Sequence, residues 1–403
     1  MSVPEVTFFD IRQSMTTLAL PILFLFFLAI LVPTNGVGGS GGIILVLIWV
    51  LWRESELRNR WWTVVWPWLF VVLVYFVIMS TYAFSRVTAL RDGIEVLKGV
   101  ALSVVALYVL QLPELVLRKS LEYVTAVLLI ITIGIVIYNF HLHDLNYFLN
   151  NQEFDWYVNR NRLAVGFSIT SIFLATLMVG ENSRLKSFSL SIVWAFVGVT
   201  ALLNGSRGAV AATVVATAAI VLSALPRLGC RKVFRFELWL FPMLMLCGLI
   251  GLFFYRHISL NKFFIHDGKG IDTGRFGIWQ AVSERVVQSP WFGYGPHGMK
   301  YDHMIEPSRV LSQDHPHSIY LGLIYASGFI GALFWLIWFS TFSFKIRQSF
   351  FARNDLSYYL GIGLLANILA HGFVDFDFYM FAVFTYIIVG LVMILPEVSY
   401  TEQ

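Results

Sequence analysis

Apolar segments separated by short polar stretches dominate the pattern along the chain. Because a helix that crosses a membrane needs about 20 mainly apolar residues, this pattern predicts about twelve membrane-spanning helices. In chain order, the predicted segments are 14–32, 42–52, 62–80, 94–112, 121–140, 163–180, 187–204, 208–225, 236–256, 317–342, 357–372 and 376–395. The predicted fold class is therefore an all-α polytopic membrane protein, with residues 1–403 as a single integral membrane domain.

The second segment is the shortest of the twelve. It follows the glycine-rich sequence TNGVGGSGG at 34–42, which favours either a tight turn or a re-entrant loop before the span. Among the twelve predicted segments, the pattern defines the ends of this one least sharply.

Composition supports a membrane protein. Of the 403 residues, 58% are hydrophobic and 13% are charged, whereas a soluble domain carries about 25% charged residues. The two cysteines, Cys230 and Cys247, lie in a basic loop and in an apolar segment, so we expect no disulfide framework. We expect no nucleic-acid partner.

The distribution of lysine and arginine predicts the orientation, because cytoplasmic loops carry an excess of both. With the N-terminus in the cytoplasm, the short loops on that side hold fifteen Lys and Arg residues and those on the other side hold five. Both termini are therefore predicted to be cytoplasmic. Residues 257–316 are too long for an ordinary connection, and we expect them to form a functional loop with amphipathic helices on the non-cytoplasmic side.

All five basic residues of the short outer loops are arginines. A guanidinium group binds phosphate or carboxylate through two parallel hydrogen bonds, so the set predicts an anion-binding surface. For any single arginine, the alternative is a side chain that simply reaches the membrane interface. The five are Arg86, Arg91, Arg160, Arg162 and Arg207.

The arginine of LLNGSRGAV (202–210) is predicted to begin a helix. Ser206 is a natural N-cap, which places Arg207 in the first turn beside unpaired backbone N–H groups. The positive end of the helix dipole strengthens anion binding there.

A second arginine has the same setting in DGKGIDTGRFGIWQAV (267–282). Asp272 or Thr273 can cap an amphipathic helix whose first turn carries Arg275, and Pro290 limits its end. The predicted apolar stripe of this helix is Phe276, Trp279, Val282 and Val286. Burial of the stripe would aim the start of the helix toward the bundle.

Two histidines in SQDHPHSIYL (312–321) are the candidate general base. Pro316 is predicted at the first helical position, which would place His315 and His317 at a helix N-terminus. The helix dipole and nearby arginines disfavour imidazolium, so a neutral ring could accept a proton. A polar pair at the membrane interface is the plainer alternative.

Metal binding is a further alternative at two places. The H-x-H pair has Asp302, His303 and Asp314 nearby, and VDFDF (374–378) contains a D-x-D pattern. Zinc sites usually show more recognisable Cys/His spacing, and we interpret Asp375 as a residue that orients His or Arg. We expect no metal and no cofactor.

The sequence GRFGIWQAVSERVVQSPWFGYGPHGM (274–299), followed by HPHSIYLGLIYASGFIGALFW (315–335), resembles the signature region of the bacterial O-antigen ligase and O-antigen polymerase superfamily. The short sequences SRGA (206–209), NRNRLA (159–164) and HGFVDF (371–376) are similar to other motifs of that family. The resemblance covers most of the chain at the level of topology and is specific in roughly 130 residues of the C-terminal half.

By position, the resemblance matches four residues to those that the family uses for donor binding and catalysis, namely Arg207, Arg275, His317 and Asp375. His315 would then orient His317 or bind a phosphate of the acceptor. Ser318 stands where many members have Asn.

The resemblance implies an inverting, metal-independent glycosyltransferase at the periplasmic face of the bacterial inner membrane. Its donor would be a glycan on undecaprenyl pyrophosphate, and its acceptor would be a sugar of lipid A–core. A polymerase of the same superfamily is one alternative. A polysaccharide or lipid transporter is another, because Glu95 and Lys98 lie inside the fourth predicted span.

Overall fold

A computed structural model describes residues 58–59, 61–110, 113–142, 160–204, 207–228, 275–296, 298–302, 315–350, 355–374 and 378–395. All regular secondary structure within these ranges is helical. The predicted segments 14–32, 42–52 and 236–256 lie outside the described residues, as does much of the loop predicted for 257–316.

The described residues form eleven α-helices. A π-helical turn, Trp61–Val65, leads directly into the first of them. The helices are α1 (Trp66–Tyr82), α2 (Arg86–Leu110), α3 (Glu114–Leu142), α4 (Arg160–Val179), α5 (Arg184–Leu203), α6 (Arg207–Leu228), α7 (Arg275–Gln288), α8 (Gly298–Tyr301), α9 (Ile319–Phe350), α10 (Asp355–His371) and α11 (Phe381–Ile394).

Each predicted apolar segment that falls within the described ranges is a helix. Among the residues that the structure describes, four helices are long and apolar enough to cross a membrane: Trp62–Tyr82, Glu114–Asn139, Gly208–Pro226 and Ile319–Gln348. Two shorter apolar helices are Leu163–Val179 and Ala382–Ile394. The protein is therefore a helical membrane protein with at least these four candidate spans.

The bundle is built around α6 and α10, which pack against each other; α4 and α11 flank this pair. Glycines allow close approach between these helices. A Cβ atom at Gly363 of α10 would lie 2.7 Å from side-chain atoms of Ile172 and Ile220, and one at Gly361 would lie 2.3 Å from Met393. Outward from this centre, α5 and α3 pack on α4, while α2 and α9 pack on α11.

The helix termini gather at two ends of the bundle. At one end, the start of α6 contacts the end of α10, because Gly208 lies against His371 and Val374. The backbone N–H of Ile319, at the start of α9, donates to the carbonyl of Gly372 there (2.8 Å). We call this end the site end.

At the opposite end, Arg118 of α3 donates a hydrogen bond to the carbonyl of Gly180 (2.7 Å). The same guanidinium forms a 2.8 Å ion pair with Glu181. These bonds tie the start of α3 to the α4–α5 connection.

Helix α9 is interrupted at Gly328, whose backbone has φ 62° and ψ −173°. Residues 290–296, which we call the 290–296 turn, lie against this break. After the break, the N–H groups of Phe329 and Ile330 donate to the carbonyls of Pro290 (2.8 Å) and Trp291 (3.2 Å), respectively. Before the break, the carbonyls of Tyr325 and Ala326 accept hydrogen bonds from the N–H groups of Tyr294 (2.9 Å) and Gly295 (2.8 Å), respectively. In an unbroken helix, Phe329 would donate to Tyr325 and Ile330 would donate to Ala326. The 290–296 turn therefore replaces both partners of these two missing helical bonds.

Candidate functional site

Residues 315–318, which we call the histidine loop, precede α9 at the site end. The Nδ1 atom of His315 accepts a hydrogen bond from the backbone N–H of His317 (3.2 Å). The centroids of the two imidazole rings lie 4.3 Å apart. Both histidines are half-buried.

The expectation that Pro316 begins the helix does not hold, because α9 begins at Ile319. His317 has φ 51°, a left-handed conformation that a right-handed helix cannot contain. Ser318 is the N-cap residue instead, since its carbonyl accepts the N–H of Gly322 (2.8 Å). The histidines therefore lie just before the helix and not within its first turn.

The end of α10 holds the histidine loop from one side. The Ile319 N–H donates to Gly372, and the Tyr320 hydroxyl donates to the carbonyl of Leu369 (2.8 Å). The ring of Tyr320 also contacts Phe373, with 5.9 Å between centroids. Glycine fits at position 372 because a Cβ atom there would lie 2.5 Å from the side chain of Ile319 and 2.7 Å from the backbone carbonyl oxygen of Ile368.

Helix α7 holds the loop from another side. The indole Nε1–H of Trp279 donates to the carbonyl of Pro316 (3.0 Å), and its ring contacts Phe373 at 6.2 Å. Arg275 is the first residue of α7, about one turn before Trp279. The structure thus brings the first two turns of α7 to the histidine loop, whereas the amphipathic pattern predicted only that the start of this helix aims toward the bundle.

The predicted stripe of α7 is right in part. Val282 is buried, and Trp279 and Val286 pack on the same cluster. The prediction that Phe276 is buried is wrong, since 60% of this residue is exposed. Ile278 and Ala281 are buried in its place, because α9 packs on a face rotated from the predicted one.

Helix α6 brings the predicted Arg207 to the same place. Arg207 is the first residue of α6. The next residue, Gly208, lies against the buried ring of His371 and against Val374. Asp375 follows Val374 in the chain and lies outside the described residues.

The remaining predicted arginines also lie at the site end. Arg160 is the first residue of α4 and Arg162 follows in the same turn. The hydroxyl of Ser168, two turns further, donates to the carbonyl of Ala209 near the start of α6 (3.3 Å). The start of α4 therefore extends beyond that of α6.

Arg86, the first residue of α2, and Arg91 are exposed. A Cβ atom at Gly295 of the 290–296 turn would lie 2.4 Å from Ala83, three residues before Arg86. The two arginines therefore lie near this turn, on the α1–α2 side of the site end.

In the described part of the chain, four helices that begin at the site end have arginine as their first residue: Arg86, Arg160, Arg207 and Arg275. The first turn of each of these helices contains no acidic residue. A cation at the positive end of a helix dipole is unfavourable. A bound anion would interact favourably with both the guanidinium groups and the helix ends.

An ion pair with a buried carboxylate fixes the far end of α7, and sequence reasoning missed it. Arg285 donates two hydrogen bonds to the carboxylate of Asp302 (2.7 and 3.0 Å), and the hydroxyl of Tyr325 donates a third (2.9 Å). The guanidinium carbon also lies 4.4 Å from the ring centroid of Tyr294. Burial lowers the pKa of Arg285, but its bonds to Asp302 outweigh that effect and raise the pKa overall.

A signal for this pair was present in the sequence. Arg285 lies on the same helical face as the buried Ile278 and Val282, and a charge on an apolar face requires a partner. The pattern of α7 could therefore have predicted an acidic partner, although not its position in the chain.

The metal alternative receives no support from the described part of the chain. No group of three His, Cys, Asp or Glu residues there could hold a metal ion. Asp302, which that alternative invoked, is bound by Arg285 and Tyr325. His303, Asp314 and Asp377 lie outside the described residues.

Comparison with known proteins gives two matches. A family model described as O-antigen ligase matches residues 190–336, which contain α6, α7, the histidine loop and the break in α9. A curated protein of Pseudomonas aeruginosa strain PAO1, named O-antigen ligase, is 34% identical over 80 residues. That match spans 18% of this chain and 18% of the relative.

Proposed function

We propose that the chain, whose residues 190–336 match the O-antigen ligase family model, is itself an O-antigen ligase. It transfers a glycan from undecaprenyl pyrophosphate to a sugar of lipid A–core. The observation that carries the proposal is that α7 and the end of α10 both bind the chain around the histidine loop, while the start of α6 contacts the same end of α10.

The arginines bind the pyrophosphate of the donor. Arg207 and Arg275 begin helices next to the histidine loop, so their charges and the helix N–H groups act on the same anion. As the glycosidic bond breaks, negative charge grows on the departing pyrophosphate, and these groups stabilise it. Arg86, Arg91, Arg160 and Arg162 extend the positive surface on which the donor binds.

His317 is the general base. The hydroxyl oxygen of the acceptor sugar attacks the anomeric carbon while His317 takes its proton. The bond between that carbon and the pyrophosphate oxygen breaks, and undecaprenyl pyrophosphate leaves with the bonding electrons. A single displacement inverts the anomeric configuration and needs no covalent enzyme intermediate. Asp375 orients His317 or an arginine.

In the membrane, the site end faces the periplasm and both termini are cytoplasmic. Residues 1–403 form one integral membrane domain, and 257–316 form a periplasmic loop within it. This orientation rests on the distribution of lysine and arginine. It allows a lipid-linked donor and a lipid-linked acceptor to reach the site from the bilayer.

A polymerase of the same superfamily would use the same residues with a different acceptor. The transporter alternative rested on charges within a span, and Glu95 and Lys98 pair with each other at 2.7 Å. An ion pair between residues on neighbouring turns of one helix is a common way to accommodate charges in a span, so these residues favour no transport path.

The test is reconstitution of the purified protein with lipid-linked glycan and lipid A–core, with EDTA present. We expect glycosylated lipid A–core, because the proposed chemistry uses no divalent cation. Products with elongated lipid-linked glycan would indicate the polymerase. Movement of lipid-linked glycan across sealed vesicles without transfer would indicate the transporter, and activity that appears only with added metal would contradict the mechanism.

A further inference from the structure

The hydrogen bond between His315 and His317 fixes the proton on the His315 ring. The backbone N–H of His317 can only donate, so Nδ1 of His315 is the acceptor and carries its lone pair there. The proton of the neutral ring is then on Nε2. A second proton on Nδ1 would point at the His317 N–H, so this bond disfavours the imidazolium form.

The loop geometry holds this bond in place. The carbonyl of Pro316 accepts from the indole of Trp279, and the N–H of Ile319 donates to Gly372. Between these two anchors, His317 adopts φ 51°, a conformation that non-glycine residues avoid. The His317 N–H therefore has a fixed direction, and the His315 ring is the group that satisfies it.

We propose that the two histidines have roles that cannot be exchanged: His315 is a neutral hydrogen-bond donor to a substrate oxygen through Nε2–H, and His317 is the base. A base needs a lone pair directed at the proton it accepts, and the only lone-pair nitrogen of His315 already accepts a backbone bond. This inference rests on the proposed function and adds the division of labour within the pair.

The ring centroids of the two histidines are 4.3 Å apart, which is close enough for both rings to bind one ligand. The Nε2–H group of His315 would donate a hydrogen bond to an oxygen atom of the substrate. Such an oxygen belongs either to the donor's pyrophosphate or to the acceptor sugar. A variant that weakens donor affinity identifies the first source, whereas one that raises only the acceptor KM identifies the second.

Two amide substitutions separate the two nitrogens of His315. In His315→Gln the amide NH₂ reaches the position of Nε2–H, whereas in His315→Asn the amide oxygen replaces Nδ1 and the distal donor is lost. We expect His315→Gln to stay within about 10-fold of wild-type kcat/KM. We expect His315→Asn and His315→Ala to lose about 10- to 100-fold, which is typical for one hydrogen bond to a charged or polar group.

The reverse order would contradict the inference, because a purely structural His315 needs only the backbone acceptor that Asn provides. Equal activity of all three variants would also contradict it. At His317, Gln should not rescue, since an amide cannot take a proton, and the rate should fall about 10²- to 10⁴-fold.

If both amides were as inactive as alanine, chemical rescue of His315→Ala would decide. Imidazole, which has an N–H, should restore transfer, and 1-methylimidazole, which has none when neutral, should not. Rescue by both would make His315 a base and overturn the proposal; rescue by neither would exclude a donor role.

A measurement that does not depend on enzyme activity separates this inference from the proposed function. In protein labelled with ¹⁵N-histidine, the His315 signals are those that disappear in His315→Gln. We expect a protonated Nε2 and an unprotonated Nδ1, and a protonated Nδ1 would refute the assignment even in an active enzyme. Failure of wild-type transfer with the expected spectrum would instead refute the proposed function.

Discussion

At the scale of single residues, the site end contains two kinds of group: arginines proposed to bind an anion, and a histidine proposed to accept a proton. Arg207 and Arg275 are the first residues of their helices, and His317 lies in a strained loop that binds the end of α10 through Ile319. Substitutions at these positions should therefore change different kinetic quantities.

His317→Ala should lower transfer by about 10²- to 10⁴-fold and leave donor affinity nearly unchanged, because a general base contributes mainly in the transition state. Single-turnover rates and donor binding, measured on the same preparation, provide the check. A fully active variant would remove His317 from the mechanism.

Arg275→Ala and Arg207→Ala should weaken donor binding as well as turnover, because each side chain would contact pyrophosphate in the ground state and in the transition state. Lysine at either position should rescue only in part, since it keeps the charge but lacks the planar fork. Donor affinity for the Ala and Lys variants is the measurement. Full rescue by lysine would mean that charge alone is used.

The sequence was enough to predict these arginines at helix starts, because capping residues and apolar periodicity are local signals. It was not enough to predict the backbone of His317 or the start of α9. Both depend on Gly372, which is more than 50 residues away in the chain and supplies the carbonyl that Ile319 binds.

At the scale of helices, the break in α9 is the feature that the pattern concealed. The sequence YASGFIGALFW (325–335) is as apolar as an unbroken span. The break is stable only because the 290–296 turn supplies four backbone partners, and a local pattern contains no information about them.

Gly328→Ala should destabilise the protein by about 1–3 kcal/mol, since it forces a Cβ atom onto a residue with φ 62°. That atom would also lie 2.3 Å from the backbone of Trp291. Gly134→Ala in α3 is the matched control, because its Cβ atom would meet nothing within 4 Å. Thermal unfolding in detergent should show a loss for the first variant only.

At the opposite end of the bundle, the Arg118–Glu181 pair predicts a dependence of stability on pH. Burial raises the pKa of Glu181, but the Ser183 N–H and the charge of Arg118 outweigh it and lower the pKa below 4.5. A carboxylate with a lowered folded-state pKa stabilises the fold above its unfolded-state pKa, and this contribution is lost as pH falls through the folded-state value.

The unfolding temperature should therefore drop more steeply below about pH 4.5 in the wild type than in Glu181→Gln. The contribution should be at most about 1 kcal/mol, because the pair is partly open to solvent. Identical pH profiles for the two proteins would show that the pair contributes nothing measurable.

At the scale of the whole molecule, the proposed orientation can be tested with residues at the two ends. In a background without Cys230 and Cys247, Ser283→Cys on α7 should react with an impermeant maleimide added to intact spheroplasts. Asn182→Cys, in the connection between α4 and α5, should react only after permeabilisation. Both side chains are exposed, so access to the reagent depends on the side of the membrane, and the reverse result would invert the orientation.

The backbone hydrogen bonds between the 290–296 turn and α9 also have a consequence for the insertion of α9 into the membrane during synthesis. Synthesis runs from the N-terminus, so the turn leaves the ribosome before Gly328 does. An N–H or C=O group left without a partner inside a bilayer costs several kcal/mol. Because the turn is already present when α9 enters the membrane, the interrupted helix can complete its bonding as it inserts, without waiting for any later part of the chain.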